Sequence, residues 1–139
     1  MYVMPEWFAN HTTVVANISC FITDLQEPYL LLRAYPGMPL FDERFVNYGY
    51  NKVQYVEHLR RAGYSFFILN HAFAMDIPHP DSSFRREYIA SMHGESLKMK
   101  QKFSAFQEML STMYSNVSHF PVCAVVKDSY YSDVLFVVC

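Results

Sequence analysis

The sequence predicts a single mixed α/β domain. Three observations carry that expectation. An apolar 3-to-4 repeat from Asn51 to Ala62 stops at Gly63 and runs directly into the apolar stretch Tyr64–Leu69, which is one helix-to-strand step. A second helical repeat fills Phe84 to Tyr114. Short apolar runs near both ends of the chain have strand length rather than helix length. The chain has 139 residues, 52% of them hydrophobic and 17% charged. That is enough for one core and far from the composition of a disordered chain.

The elements follow in order. Residues 1–28 mix aromatics, Thr and Asn around short pieces such as Thr13-Val14-Val15-Ala16, and read as short strands and loop. Tyr29-Leu30-Leu31-Leu32-Arg33 reads as a buried strand, and Tyr35-Pro36-Gly37-Met38-Pro39 as the turn that ends it. In the helix from Asn51, Val53, Tyr55, Val56, Leu59 and Arg60 set the spacing, and Gly63 stands where a helix stop belongs. Ala72 to Ile77 is an extended candidate ended by Pro78 and Pro80. In the long helical stretch Met99, Phe103, Phe106, Leu110 and Met113 share one face, with Lys98, Lys100 and Lys102 on the others, and Gly94 divides the stretch into two helices. Phe120–Val126 and Val134–Val138 read as a closing hairpin.

Composition excludes several classes. Eleven Lys and Arg against thirteen Asp and Glu leave a net charge of −2, which lacks the basic footprint of a nucleic-acid binder. No apolar run reaches the roughly 18 residues needed for a membrane span. Cys20, Cys123 and Cys139 form no CxxC pair, so zinc-ribbon and thioredoxin chemistry have no support. One disulfide plus a free thiol fits a secreted chain, and three reduced thiols fit a cytosolic one. Three Asn-x-Ser/Thr sequons, at Asn10, Asn17 and Asn116, favour a lumenal location, although Met1–Phe8 lacks the basic start and apolar centre of a signal peptide.

Two clusters have the residue types for chemistry. In Phe41-Asp42-Glu43-Arg44-Phe45, followed by Tyr48-Gly49-Tyr50-Asn51-Lys52, paired carboxylates and two cations precede a helix among aromatics. A carboxylate there can take a proton from a hydroxyl nucleophile. Taken alone, an Asp-Glu-Arg loop reads as a solvated turn with weak ion pairs. In Asp76-Ile77-Pro78-His79-Pro80-Asp81, carboxylate and imidazole suit Mn²⁺, Zn²⁺ or Mg²⁺, while the same composition is common in turns. His11, His58, His71, His93 and His119 are scattered and form no motif.

The ordered series Glu27-Pro28-Tyr29, Pro39-Leu40-Phe41-Asp42-Glu43-Arg44-Phe45, Tyr48-Gly49, Asn51-Lys52, Ala62-Gly63-Tyr64, Leu69, Ala72-Phe73 and Pro78-His79 resembles the C-terminal half of family 49 glycosyltransferases. That family includes xylosyl/glucuronyltransferases and β-1,4-glucuronyltransferases that act on dystroglycan glycans. The resemblance covers residues 27–114 and leaves 115–139 unassigned. It implies a GT-A-like domain, a UDP-sugar donor, a glycan acceptor, Mn²⁺ and a Golgi-lumenal location behind an N-terminal anchor that this chain lacks. The family's late metal-binding histidine falls on Asp76, and His79 matches a second histidine of some members. The family's DxD motif, which holds metal and donor diphosphate, has no counterpart, because no Asp-x-Asp occurs in the chain.

The expectation is therefore the acceptor-side half of a glycosyltransferase domain. Its catalytic candidates are Asp42 and Glu43. Arg44, Tyr48, Asn51 and Lys52 are candidates for substrate binding, and Asp76 and His79 for the metal edge. Without a DxD this chain alone is expected to be inactive, and a non-catalytic glycan-binding or scaffold relative is the alternative.

Overall fold

A computed structural model describes residues 12–46, 49–72, 74, 77, 79–91, 95–123 and 137–138. The order along the chain is β1 (Val15–Asn17), β2 (Tyr29–Leu30), α1 (Asn51–Arg61), β3 (Phe67–Leu69), α2 (Ser83–Ala90), α3 (Glu95–Met113) and β4 (Val137–Val138). The strands form a small mixed sheet in the order β1-β3-β4-β2. β1 pairs antiparallel with β3, placing Ala16 opposite Ile68. β4 lies antiparallel to β3 and parallel to β2.

α1 begins and ends for local reasons. Gly49 and Tyr50 both take positive φ, 95° and 60°, which turns the chain sharply into the helix. The positive φ favours glycine at 49, and a Cβ there would also come within 2.8 Å of the Tyr88 ring, which would have to shift. The strained Tyr50 backbone is held by its ring, 4.8 Å from that of Phe103. At the other end the Gly63 N–H donates to the Arg60 carbonyl at 3.3 Å and the Tyr64 N–H to the Leu59 carbonyl at 3.1 Å. That pair of bonds is a Schellman stop, with Gly63 at φ 82°.

The core has two parts, and α1 lies between them. Tyr55, Val56 and Leu59 pack with Ile18, Phe21, Phe66 and Ile68 on the sheet side. Val53 packs with Phe45, Met99, Phe103, Phe106 and Leu110 on the α3 side. A helix covered on both sides must bury polar residues too, and Gln54, Glu57 and Arg60 are all buried. Glu57 accepts from Arg60 Nε at 2.6 Å, Arg60 Nη2 at 2.8 Å and Arg61 Nε at 2.8 Å. Arg60 Nη1 also donates to the Phe120 carbonyl at 2.7 Å, and Arg61 Nη1 donates to Ser111 Oγ at 3.2 Å. The buried charges of one helix thereby tie together α1, α3 and the segment that follows α3.

Cys20 and Cys123 form a disulfide that spans 103 residues of sequence. Beside it, Phe21 and Val122 make an isolated parallel bridge. These links close the chain after α3 onto the strand region before β2.

Most expected elements are present, although the strand expected at Tyr29–Arg33 covers only Tyr29–Leu30 and Leu31 is exposed. The repeat from Phe84 breaks between α2 and α3, as the position of Gly94 predicts. Its apolar face ends at Leu110, because Met113 is exposed and the half-buried Tyr114 packs in its place. Of the expected closing hairpin only Phe120–Cys123 and Val137–Val138 lie among the described residues, and there Val122 bridges to Phe21 while β4 sits between β3 and β2. In the extended candidate at Ala72–Ile77, the residues Phe73, Met75 and Asp76 lie outside the described set. Among the described residues no helix is long and apolar enough to cross a membrane.

Candidate functional site

Phe41–Phe45 is a turn clamped between two helices. The Asp42 carboxylate accepts from the Arg44 backbone N–H at 2.9 Å, and the Phe45 N–H donates to the Asp42 carbonyl at 3.0 Å. This is the local carboxylate-to-backbone bonding that makes Asp a turn residue. The same carboxylate receives Arg44 Nε at 2.9 and 3.0 Å and Nη2 at 2.5 Å.

Phe41 stacks on Tyr55 of α1, centroids 4.2 Å apart at 17°. Phe45 is buried edge-on to Phe106 of α3, at 5.4 Å. Lys102 of α3 donates to the Arg44 carbonyl at 2.7 Å, so it anchors the turn rather than decorating a solvated face. Aromatic residues on both flanks of Asp-Glu-Arg thus fix the turn from both sides.

The two carboxylates differ. Arg44 holds the Asp42 carboxyl below the ordinary range, chiefly through its side-chain hydrogen bonds, with burial opposing. An Asp so bound is a weak base. Glu43 is exposed, and no hydrogen bond or ion pair occupies it among the described residues.

Lys52, near the start of α1, lies 3.9 Å from Glu27 and 5.8 Å from the Tyr29 ring centroid. Residues 25 positions apart in sequence therefore meet as a charged, aromatic pair of flanks. Lys52 is one turn before Tyr55 on α1, which places it on the side of the helix that carries Phe41. The Asn51 side chain accepts from the Lys52 backbone N–H at 3.0 Å. Tyr48 lies outside the described residues.

His79 is exposed, and its Nδ1 bonds to the Pro80 carbonyl at 2.8 Å. A carbonyl only accepts, so Nδ1 carries the proton and Nε2 is the nitrogen able to ligate. Asp76 lies outside the described residues, as does Asn10. Among the described residues no three His, Cys, Asp or Glu side chains gather as a metal site, and His79 alone does not make one.

The Pro-His turn leads into α2, whose Ser82 cap accepts the Arg85 N–H at 3.1 Å. Asp81 pairs with Arg85 in the same turn. Tyr88 of α2 then packs on Gly49, so the described link between the two motifs is indirect and runs through the start of α1.

His58, which no motif in the sequence marks, sits behind the turn. Its Nε2 is 3.0 Å from the Tyr114 hydroxyl and its ring is edge-on to Phe106 at 5.9 Å. Nδ1 is buried without a well-formed hydrogen bond. Burial pushes the His58 imidazole below its usual range, while the Leu40 backbone and the Asp42 carboxylate pull the other way. The unfolded chain therefore binds the proton first as pH falls. Stability from this group is present above the ordinary histidine value of about 6.5 and declines as pH drops through it towards the lower folded value. Replacing His58 with Gln should flatten the pH dependence of the thermal midpoint between about pH 7.5 and 5.5. An unchanged slope would show that the ring is already free to protonate in the fold. Asn17 lies on β1 and Asn116 in the turn after α3, both exposed.

The family described as "Glycosyl-transferase for dystroglycan" matches residues 4–115. Similar curated proteins include xylosyl- and glucuronyltransferase LARGE2s of Gallus gallus, 38% identical over 56 residues, which is 40% of this chain and 7% of that protein. Beta-1,4-glucuronyltransferase 1 of Danio rerio is 31% identical over 78 residues, 56% of this chain and 17% of that protein. Xylosyl- and glucuronyltransferase LARGE1 of Homo sapiens is 32% identical over 88 residues, 63% of this chain and 11% of that protein. The chain thus spans less than a fifth of the length of each of these relatives. No solved structure matches it.

Proposed function

Because the chain belongs to the family of glycosyltransferases for dystroglycan, we propose that it forms the acceptor-side part of a GT-A-like enzyme that moves a glucuronate- or xylose-type sugar from a UDP-sugar to a glycan. One observation carries this reading: the family-like Asp-Glu-Arg turn is clamped by Phe41 on Tyr55 and by Lys102 on the Arg44 carbonyl, with Glu43 left at the solvent edge.

In this reading Glu43 takes the proton from the acceptor hydroxyl as its oxygen attacks the sugar's anomeric carbon and UDP leaves. Asp42 positions Glu43 by locking the turn. Arg44 commits Nε and Nη2 to Asp42, keeping Nη1 for an acidic sugar or phosphate. Lys52 and Tyr29 supply a cation and a ring face near the start of α1, with Tyr48 and Asn51 as further contacts. The described residues do not make a Mn²⁺ site, and no step here runs through one. Asp76 and His79 are assigned to the edge of a metal and donor site completed elsewhere in the protein. The disulfide and the sequons support a Golgi-lumenal location.

The test is UDP release by the full-length protein with UDP-glucuronate or UDP-xylose and a glycan acceptor. Glu43→Gln should lower turnover by at least about 10²-fold with an unchanged thermal midpoint, because Glu43 is exposed. Unchanged turnover sinks the assignment of the base. No UDP release from any donor favours the non-catalytic, glycan-binding alternative, which the missing Asp-x-Asp supports.

A further inference from the structure

We infer that Asn116 is an N-glycosylation site and that the fold presents it in preference to Asn17. The inference rests on the lumenal part of the proposed function and not on catalysis.

Asn116-Val117-Ser118 has the amide and the hydroxyl two residues on that an acceptor needs. It directly follows α3, in a turn closed by the Val117 N–H donating to the Tyr114 carbonyl at 3.0 Å. Asn116 and Ser118 are both exposed. Val117 between them is exposed too, with its Cγ1 lying over Gly63.

Both flanks of the turn are tied down. The Tyr114 hydroxyl meets His58 Nε2 at 3.0 Å, and the Phe120 N–H donates to the Arg60 carbonyl at 3.1 Å. The turn is tied at both flanks while Asn116 stands in solvent, so a bulky glycan can be carried without displacing the core.

The Cys20–Cys123 disulfide is independent of the sequon and points to folding in an oxidising lumen, where this modification takes place. Asn17 is placed differently. It lies within β1, paired with Phe67, next to the buried Ile18 and three residues from Cys20. Acceptor sequons are surface-loop features, and a strand-bound one is a poorer substrate.

The co-reactant is an oligosaccharide carried on a lipid diphosphate. The Asn116 Nδ2 nitrogen attacks its anomeric carbon. A nitrogen–carbon bond forms, the carbon–oxygen bond to the diphosphate breaks, and the lipid diphosphate departs with the electron pair. One amide proton passes to a base of the transferring enzyme.

The full-length protein, secreted from a eukaryotic host, is treated with peptide N-glycosidase in heavy-oxygen water and mapped by mass spectrometry. Expected is conversion of Asn116 to heavy-labelled Asp, with Asn116→Gln losing one glycan's mass and Asn17→Gln losing none. Non-reducing mapping of the same sample reports the disulfide. A bare Asn116 in protein carrying the Cys20–Cys123 bond overturns the inference, as does a glycan on Asn17 with Asn116 bare. A bare Asn116 with reduced cysteines overturns the lumenal reading with it. Sugar transfer by the enzyme is not read in this experiment, so failure of the catalytic reading shows separately as absence of UDP release.

Discussion

Replacing Glu57 with Gln is expected to lower folding stability by about 3–5 kcal/mol, the cost of breaking a buried ion pair. The Glu57 side chain has no solvent exposure, and the Arg60 side chain beside it is 9% exposed. The carboxylate balances two guanidiniums and orients both. Glutamine keeps the shape but removes the charge, so Arg60 stays buried without its counterion. The damage spreads because Arg60 and Arg61 carry the links to the Phe120 carbonyl and Ser111. Urea unfolding of the purified protein measures the loss, with the slope unchanged if both states keep their compactness. Replacing Glu57 and Arg60 together by apolar residues of similar volume should recover a substantial part of it. A loss below about 1 kcal/mol for Glu57→Gln would mean that the pair behaves like an exposed one.

Cutting the Cys20–Cys123 bond is the second large effect. Its sequence separation is 103 residues. A link that long restricts the unfolded chain strongly, and its removal should cost about 2–5 kcal/mol. Cys20→Ser, Cys123→Ser and the double replacement should lose the same amount, since each removes the same single bond. Reductant should lower the midpoint of the parent protein and leave the variants unmoved. Three unequal losses, or a parent insensitive to reductant, would show that the two sulfurs are not joined in solution.

The parts of the molecule legible beforehand were those written in neighbouring residues. The 3-to-4 repeat beginning at Asn51 led to α1 within a residue of its observed end, because Gly63 supplies the left-handed stop that few other residues can. The second repeat placed Met99, Phe103, Phe106, Leu110 and Met113 on one face, of which the first four are buried and Met113 is exposed. The Asp-Glu-Arg motif was legible as a cluster, but its internal division of labour was not. That Arg44 occupies Asp42 and leaves Glu43 exposed depends on how the turn is folded between α1 and α3. Nothing beside His58 in sequence marks it, and Tyr114, Phe106 and Asp42 reach it from other segments. Glu57, Arg60 and Arg61 did carry a signal, since acid and base at three- and four-residue spacing share a helix face. Their burial was not in that signal.

Helix spans, the glycine stop, the α/β character and membership of a glycosyltransferase family could be read from the order of residues alone. They depend on backbone preferences and periodicity, which act over a few positions at a time. Strand partners, the choice among three cysteines, the buried charges on α1 and the anchoring of Lys102 came from the folded arrangement. Each of these joins groups far apart along the chain, and burial between two packed layers sets which neighbour a polar group must find.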